Sequence, residues 1–195
     1  IGNRAWCDLT VDLAAEQATI LIPPAFLASA IYPVRIDPTF GYTTIGGTAT
    51  TMENVCRASW QTAPENGDVT EIAYYTAITN TAKASKGVIY AWTADNDAGA
   101  LLATSAENAG AVDTAWRTAA ITLTVVGGTK YFLGAAHVVA AGVGNGHYDT
   151  VTAKAISDTF TYPTFSDPFA EDGPGLQNDR EWSIYVTYTA VGGVT

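Results

Sequence analysis

The chain is predicted to be all-β, an antiparallel β-sandwich of the jelly-roll kind with an irregular or extended N-terminal segment. Three observations lead there. The block Val69–Val138 is a series of short apolar runs with period-2 alternation. Clusters of Gly, Asn and Asp separate those runs as sharp turns. Charged residues make up only 14% of the 195, while Thr, which suits half-buried pleated surfaces, is abundant. One domain over 1–195 is expected, with 1–60 an extended segment carrying strands and 61–195 the main sandwich. A chain of this length buries roughly 70% of the surface it would expose unfolded, so neither a metal nor a disulfide is needed to fold it.

The elements follow in order. Cys7, Leu9, Val11 and Leu13 alternate with Asp8, Thr10 and Asp12, which suggests a strand; a short helix over Asp8–Gln17 competes. Pro23-Pro24 and Tyr32-Pro33 force extended or turn backbone. Phe40–Thr51, with Gly41, Gly46 and Gly47, reads as a loop or hairpin, and Asn54–Trp60 as a short strand. Pro64–Asp68 turns into a strand over Val69–Ile78 that places Ile72, Tyr74, Thr76 and Ile78 on one face. Lys83–Gly87 turns into Val88–Trp92, and Asp95–Gly99 into Leu101–Thr104, followed by a loop over Glu107–Asp113. Ile121, Leu123 and Val125 alternate with threonines as a half-buried strand, and Gly127-Gly128 is expected to make a tight hairpin into Tyr131–Val139. Gly142–Gly146 reads as a flexible loop carrying His147 and Tyr148. Phe160–Gly175 is an irregular loop whose five aromatics need somewhere to pack, and Trp182–Thr189 is a closing strand with Ile184, Val186 and Tyr188 on one face. The expected core includes Ile121, Leu123, Val125, Tyr131, Leu133, Ile184 and Val186.

The formal net charge is −10, and the nine basic residues are scattered rather than striped. Nucleic-acid binding, which needs clustered Lys and Arg against phosphates, is therefore not expected. The acidity also disfavours anionic membrane surfaces. Membrane insertion is not expected either, because Pro23, Pro24 and Pro33 interrupt the apolar stretch Ala18–Val34, which is too short to span. The chain opens on Ile1 without Met, and the expectation is a mature, processed or excised form. Cys7 and Cys56 read either as two buried free thiols or as one disulfide formed in an oxidising compartment. Their spacing fits no zinc-site signature.

Few residues are equipped for catalysis. No GxSxG serine, HExxH or P-loop occurs. His137 and His147 lack a third ligand of known spacing and are expected to be a strand-end and a surface histidine. Asp95-Asn96-Asp97 is an Asx-rich turn; Asp95 and Asp97 offer oxygens to calcium as the competing reading, and Asp167 with Glu171-Asp172 makes a second acidic loop of the same kind. No cofactor is otherwise expected. Paired carboxylates for glycoside hydrolysis would need two acids on facing walls of a cleft, whereas the acids here fall mainly in turns.

The aromatics are the best functional lead. Five Trp and ten Tyr exceed what a core of this size needs. Rings on a sandwich face or in its end loops stack on the apolar faces of sugars, while neighbouring Asp, Asn or Arg bond the hydroxyls. Trp6, Trp60, Tyr75, Trp92, Phe132, Tyr148 and Tyr162 are the candidates; packing in a core or at a subunit interface is the alternative for each.

Three segments carry a family resemblance. Gly87–Asp95 with Ala100–Ser105 is one; Trp116, Ile121, Leu123, Gly128-Thr129 and Tyr131–Ala136 form the second; Tyr162–Phe169 followed by Trp182–Tyr188 is the third. Together they resemble jelly-roll β-sandwiches of galactose-binding-like architecture, known from phage virion proteins and bacterial extracellular modules. Phe132 stands where that pattern has Trp, and Ala98-Gly99-Ala100 lacks its Pro. The similar residues are packing residues and turn glycines, and no catalytic residue belongs to the pattern. The resemblance implies a non-enzymatic module for attachment or glycan binding, extracellular or on a virion. The alternative, suggested by the extended, Pro-rich N-terminal third as an arm packing on a neighbour, is a structural virion protein, a capsid decoration or tail-fibre domain acting through contacts with neighbouring subunits or as a homo-oligomer. A ligand site is expected where end loops converge, at Trp92, Asp95, Asn96, Asp97, Asn145, His147, Tyr148 and Tyr162.

Overall fold

The structure, a computed structural model, describes residues 8–12, 17–21, 23–25, 38–94, 97–170 and 179–191. The chain divides into two units, Ile1–Ile36 and Asp37–Thr195. In the first, β1 (Asp8–Asp12) and β2 (Gln17–Leu21) pair antiparallel with Leu9 opposite Ile20, so the strand reading prevails over the helix there.

The second unit is a β-sandwich of two antiparallel sheets. Its strands are β3 (Thr39–Gly41), β4 (Thr48–Thr51), β5 (Val55–Thr62), β6 (Gly67–Ile78), β7 (Ser85–Ala94), β8 (Asp97–Thr104) and β9 (Asp113–Val125). They continue with β10 (Lys130–His137), β11 (Gly144–Asp149), β12 (Ala155–Thr159), β13 (Glu181–Trp182) and β14 (Ile184–Ala190). The sandwich thus begins with β3 at Thr39, within the stretch assigned to the N-terminal segment. Five strands form one sheet in the order β12-β5-β10-β7-β8. In the other, β6 is central, with β9 along one side. Along its other side β14 covers Gly67–Tyr74 and β11 covers Thr76–Ile78, with β3 and β4 outside them.

Burial separates the two sheets. In β10 every residue after Lys130 is buried, and in β7 Gly87–Tyr90 are buried in succession; their sequences read as continuous apolar runs, VIYAW and YFLGAA. A strand does this when both of its faces are covered. In β9 and β14 buried and part-exposed residues alternate, as ITLTV and IYVTYT do in sequence. Between the sheets lies one core of Ile72, Tyr74, Ile89, Ile121, Val125, Tyr131, Leu133, Trp182, Ile184, Val186 and others, with Leu123 partly buried against it. The predicted core residues all belong to it.

A second core lies on the outer side of the five-stranded sheet. Phe160, Phe165 and Phe169 of the loop after β12 cover Cys56, Ala58, Val88, Tyr90, Phe132 and Ala136. Phe160 stacks on Phe165 at 4.6 Å, and Phe169 meets Tyr90 edge-on at 4.9 Å. Polar bonds fasten the loop: Tyr90 Oη donates to the Ser166 carbonyl at 3.0 Å, and the Leu101 N–H donates to Asp167 Oδ1 at 3.0 Å. Cys56 is a free, fully buried thiol beneath this cover, and burial pushes it well above its ordinary range. Cys7 lies outside the described residues.

Three local expectations are corrected. Gly127-Gly128 is a tight turn but not a hairpin, because β9 pairs with β6 in one sheet while β10 pairs with β5 and β7 in the other. Phe40–Thr51 holds two strands that do not pair with each other: β3 lies on β14 and β4 on β11. The loop expected at Gly142–Gly146 becomes strand at Gly144, because the main chain of β11 bonds on both sides, to β4 and to β6 and β13.

Candidate functional site

The outer face of the β6 sheet has no described loop folded over it as the Phe160 loop folds over the other sheet. Period-2 alternation sends Tyr75, Trp116, His147 and Tyr185 to this face, opposite the buried Tyr74, Tyr148 and Ile184. Tyr75 is the direct cross-strand partner of Trp116. Their rings lie 5.4 Å apart at 68°. Trp116 also meets Tyr185 at 5.0 Å and 64°, and Tyr75 meets His147 at 5.0 Å and 84°. The result is a continuous edge-to-face row of four half-buried rings across β14, β9, β6 and β11. The remaining outward positions of these strands carry Thr, Ala, Asn, Asp and Glu, and none carries Lys or Arg.

The segment between β3 and β4 forms one rim of the row. Gly41 has φ +124°, and a Cβ there would stand 2.6 Å from Tyr185 Cα, so only glycine lets the chain pass this ring. Gly46 crosses the backbone of Tyr148, where a Cβ would come within 2.2 Å of the carbonyl carbon. That crossing brings the Gly46 carbonyl to 3.1 Å from His147 Nδ1. A carbonyl only accepts, so Nδ1 carries a proton. Beside it Tyr42 Oη donates to Asp149 Oδ2, and the Gly47 N–H donates to Asp149 Oδ1 at 2.8 Å. These bonds hold the Asp149 carboxyl below its usual range, while the same contact raises Tyr42.

His137 differs entirely from His147. It is fully buried between the sheets, 2.8 Å through Nε2 from Thr76 Oγ1. The Thr76 hydroxyl spends its one proton on the Asn145 carbonyl at 2.7 Å, so it accepts from His137 Nε2–H. Burial, then the nearby Lys83 ammonium and Arg117, push the imidazole down to about 4, and it is held neutral. His137 is the last residue of β10, the strand-end histidine of the sequence reading, and its side chain is interior. Lys83, also fully buried, pairs with Glu53 Oε1 at 2.6 Å.

The expected site residues do not converge on one set of end loops. Asn145 and His147 share the open face with the aromatic row. Tyr148, on the same strand, points inward, is only 9% exposed, and packs on Trp182 at 5.0 Å. It is a core residue because β11 is a strand and not a loop. Trp92, on β7, and Tyr162, in the loop after β12, lie at the edge of the second core, with Tyr162 Oη donating to Glu107 Oε2 at 2.8 Å. Phe132 is buried under the Phe160 loop. Asp97 begins β8, where its carbonyl accepts from Thr93 Oγ1 at 2.7 Å. Asp95, Asn96 and Trp6 lie outside the described residues, as do Glu171 and Asp172. Among the described residues no three His, Cys, Asp or Glu side chains come together to hold a metal. Trp116 and Tyr185 join the row without being among the ligand-binding rings that the sequence suggests. Tyr185 alternates with core-facing Ile184 and Val186, whereas Trp116 is located by its cross-strand partner Tyr75.

No protein-family model matches the chain, and neither a curated protein nor a solved structure is significantly similar to it.

Proposed function

We propose that the protein is a non-catalytic attachment module that binds glycan chains along the open face of its β6 sheet, in an extracellular or virion setting. The observation that carries this reading is the continuous row Tyr185–Trp116–Tyr75–His147, half-buried on a sheet face whose other outward groups are hydroxyls, amides and carboxylates. Such a face offers π surfaces to the C–H faces of pyranose rings and hydrogen-bond partners to their hydroxyls. Asn145, His147 and Asp149, outward on β11, stand at one end of the row. The lack of Lys and Arg there favours neutral sugars. The resemblance to galactose-binding-like modules agrees with this function.

A glycan array followed by calorimetry with neutral oligosaccharides tests it. Trp116→Ala is expected to weaken binding about tenfold or more, since stacking of a ring on a ligand is worth about 1–3 kcal/mol by analogy with base–aromatic stacking. Absence of binding to every neutral saccharide would sink the proposal. The second reading is a structural virion protein working through subunit contacts; the division of the chain into a unit Ile1–Ile36 separate from the sandwich supports it. A concentration-independent monomer in light scattering counts against it.

A further inference from the structure

A buried charge pair links two crossings between the sheets and has no part in sugar binding. Lys83 lies in the link between β6 and β7, with its side chain fully buried. Gly110 closes over that link so tightly that a Cβ there would stand 2.8 Å from the Lys83 carbonyl oxygen. The Lys83 ammonium is 2.6 Å from Oε1 of Glu53, in the link between β4 and β5. Close as it is, Oε1 is not in line for a hydrogen bond, and the ammonium has none among the described residues. Oε1 accepts instead from the Gly144 N–H at 3.1 Å, and the Glu53 side chain is 22% exposed. Main-chain bonds from His137 to Met52 and from Asn54 to His137 hold Glu53 beside the histidine. The His137 ring packs on Gly144, where a Cβ would come within 3.0 Å of it. Its Nε2 holds the proton, and Nδ1 has no hydrogen-bond partner among the described residues. After burial, the Lys83 charge is the largest influence keeping this ring neutral.

We propose that Lys83 and Glu53 are a modification site, joined by an intramolecular isopeptide bond that the folded chain forms by itself. Nζ of Lys83 attacks Cδ of Glu53. The Nζ–Cδ bond forms, the Cδ–Oε2 bond breaks, and Oε2 leaves as water. Two of the three ammonium protons depart with it, so an ammonium and a carboxylate become one neutral amide and one water. No oxidant, reductant or further reactant is consumed. The Gly144 N–H holds Oε1 while negative charge develops there. His137 Nδ1 relays protons from Nζ to the departing Oε2. The exposed part of Glu53 gives the water a way out. Burial supplies the driving force, because an ion pair withdrawn from water loses the hydration of both charges, whereas an amide carries none. Each of the two links runs from one sheet to the other, so the bond ties both crossings together at one end of the sandwich. A covalent tie at that place resists pulling, which suits a module that holds on to something.

The test is the intact mass of the full chain, reduced and denatured after folding, followed by peptide mapping. The chain is expected to be lighter than its sequence by one water, either throughout or as a fraction that grows while the folded protein is incubated. Mapping is expected to show a branched peptide joining the Glu53 segment to the Lys83 segment, with trypsin unable to cut after Lys83. Lys83→Met is expected to restore the sequence mass, and His137→Gln to slow formation about a hundredfold. A chain of full sequence mass, unchanged by prolonged incubation, overturns the proposal and leaves an ordinary buried ion pair. So does a water lost elsewhere, such as a cyclic imide at Asp172-Gly173, which mild base reopens and an isopeptide bond survives. A bond that forms equally fast in His137→Gln overturns the relay. The mass of the unaltered chain needs no variant, so the test stands even where a substitution disturbs folding. Its outcome is independent of whether any saccharide binds the β6 face.

Discussion

The two outer faces of this sandwich use the same residue types for opposite ends. On the five-stranded sheet, Phe132, Tyr90 and their neighbours are roofed by Phe160, Phe165 and Phe169, and the rings form a dry second core. On the β6 sheet, Trp116, Tyr75 and Tyr185 sit in a row with no described loop over them. Aromatic excess alone therefore says nothing about binding. What decides is whether the chain supplies its own cover. Apolar burial stabilises at about 25 cal/mol per Å² removed from water, so a covered ring contributes to stability what an open ring keeps available for a partner. This difference can be broken or sharpened by substitution.

The largest effect is expected on the covered face. Phe132 is fully buried between the sheet and the Phe160 loop. Phe132→Ala should cost about 3–5 kcal/mol, enough to lower the melting temperature by about 10 °C in a domain of this size, and should leave neutral-sugar binding of the folded fraction unchanged. A small loss of stability would mean that the loop is a loose flap and the second core is not a core.

Acid should come next, acting between the sheets and not on either outer face. The folded chain holds His137 at about 4, below the ordinary histidine value of 6.5. The unfolded chain therefore binds a proton that the folded chain refuses. Stability is complete above about pH 6.5 and is lost as pH falls towards 4, by about 3 kcal/mol over that interval. Urea unfolding at a series of pH values checks this, and His137→Gln should flatten that limb of the curve. A curve with the same acid limb in that variant would assign the loss to carboxylates. Leu123→Ala follows in size, at about 2 kcal/mol, because Leu123 packs against the inter-sheet core but is only partly buried.

Much of this contrast was legible in the sequence. VIYAW and YFLGAA are unbroken apolar runs, and their strands are the ones covered on both faces. ITLTV and IYVTYT alternate, and their strands face outward on one side. The aromatics of FTYPTFSDPF were expected to need a packing surface, and the second core is that surface. Pairing was harder to read. Gly127-Gly128 has hairpin chemistry, yet it carries the chain from one sheet to the other, and local turn residues do not encode which sheet the next strand joins. GVGNGHYD resembles a loop because its inward positions are Gly144, Gly146 and Tyr148. Those glycines make room for close neighbours, since a Cβ on Gly146 would stand 2.1 Å from Met52 Sδ and one on Gly144 would press on His137. Reading glycine as a turn signal turned Tyr148 from a core residue into a surface one. The place of Lys130 between two tryptophans depends on cross-strand register, which the sequence does not display.

The smallest stability effect is expected where binding is proposed. Trp116 is half-exposed, and its contacts with Tyr75 and Tyr185 are edge-to-face on an open surface. Its removal takes away two such contacts, each worth about 0.5–1.5 kcal/mol, and leaves neighbours that are free to lean into the gap. Trp116→Ala should therefore cost only about 1–2 kcal/mol, less than half the cost of Phe132→Ala, while removing the centre of the row that a saccharide would lie on. The pair of variants separates the two faces: one unfolds early and binds, the other stays folded and does not. If Trp116→Ala proved as destabilising as Phe132→Ala, the row would be a structural seam of the β6 sheet, and its half-exposure would reflect packing geometry and not a place kept for a partner.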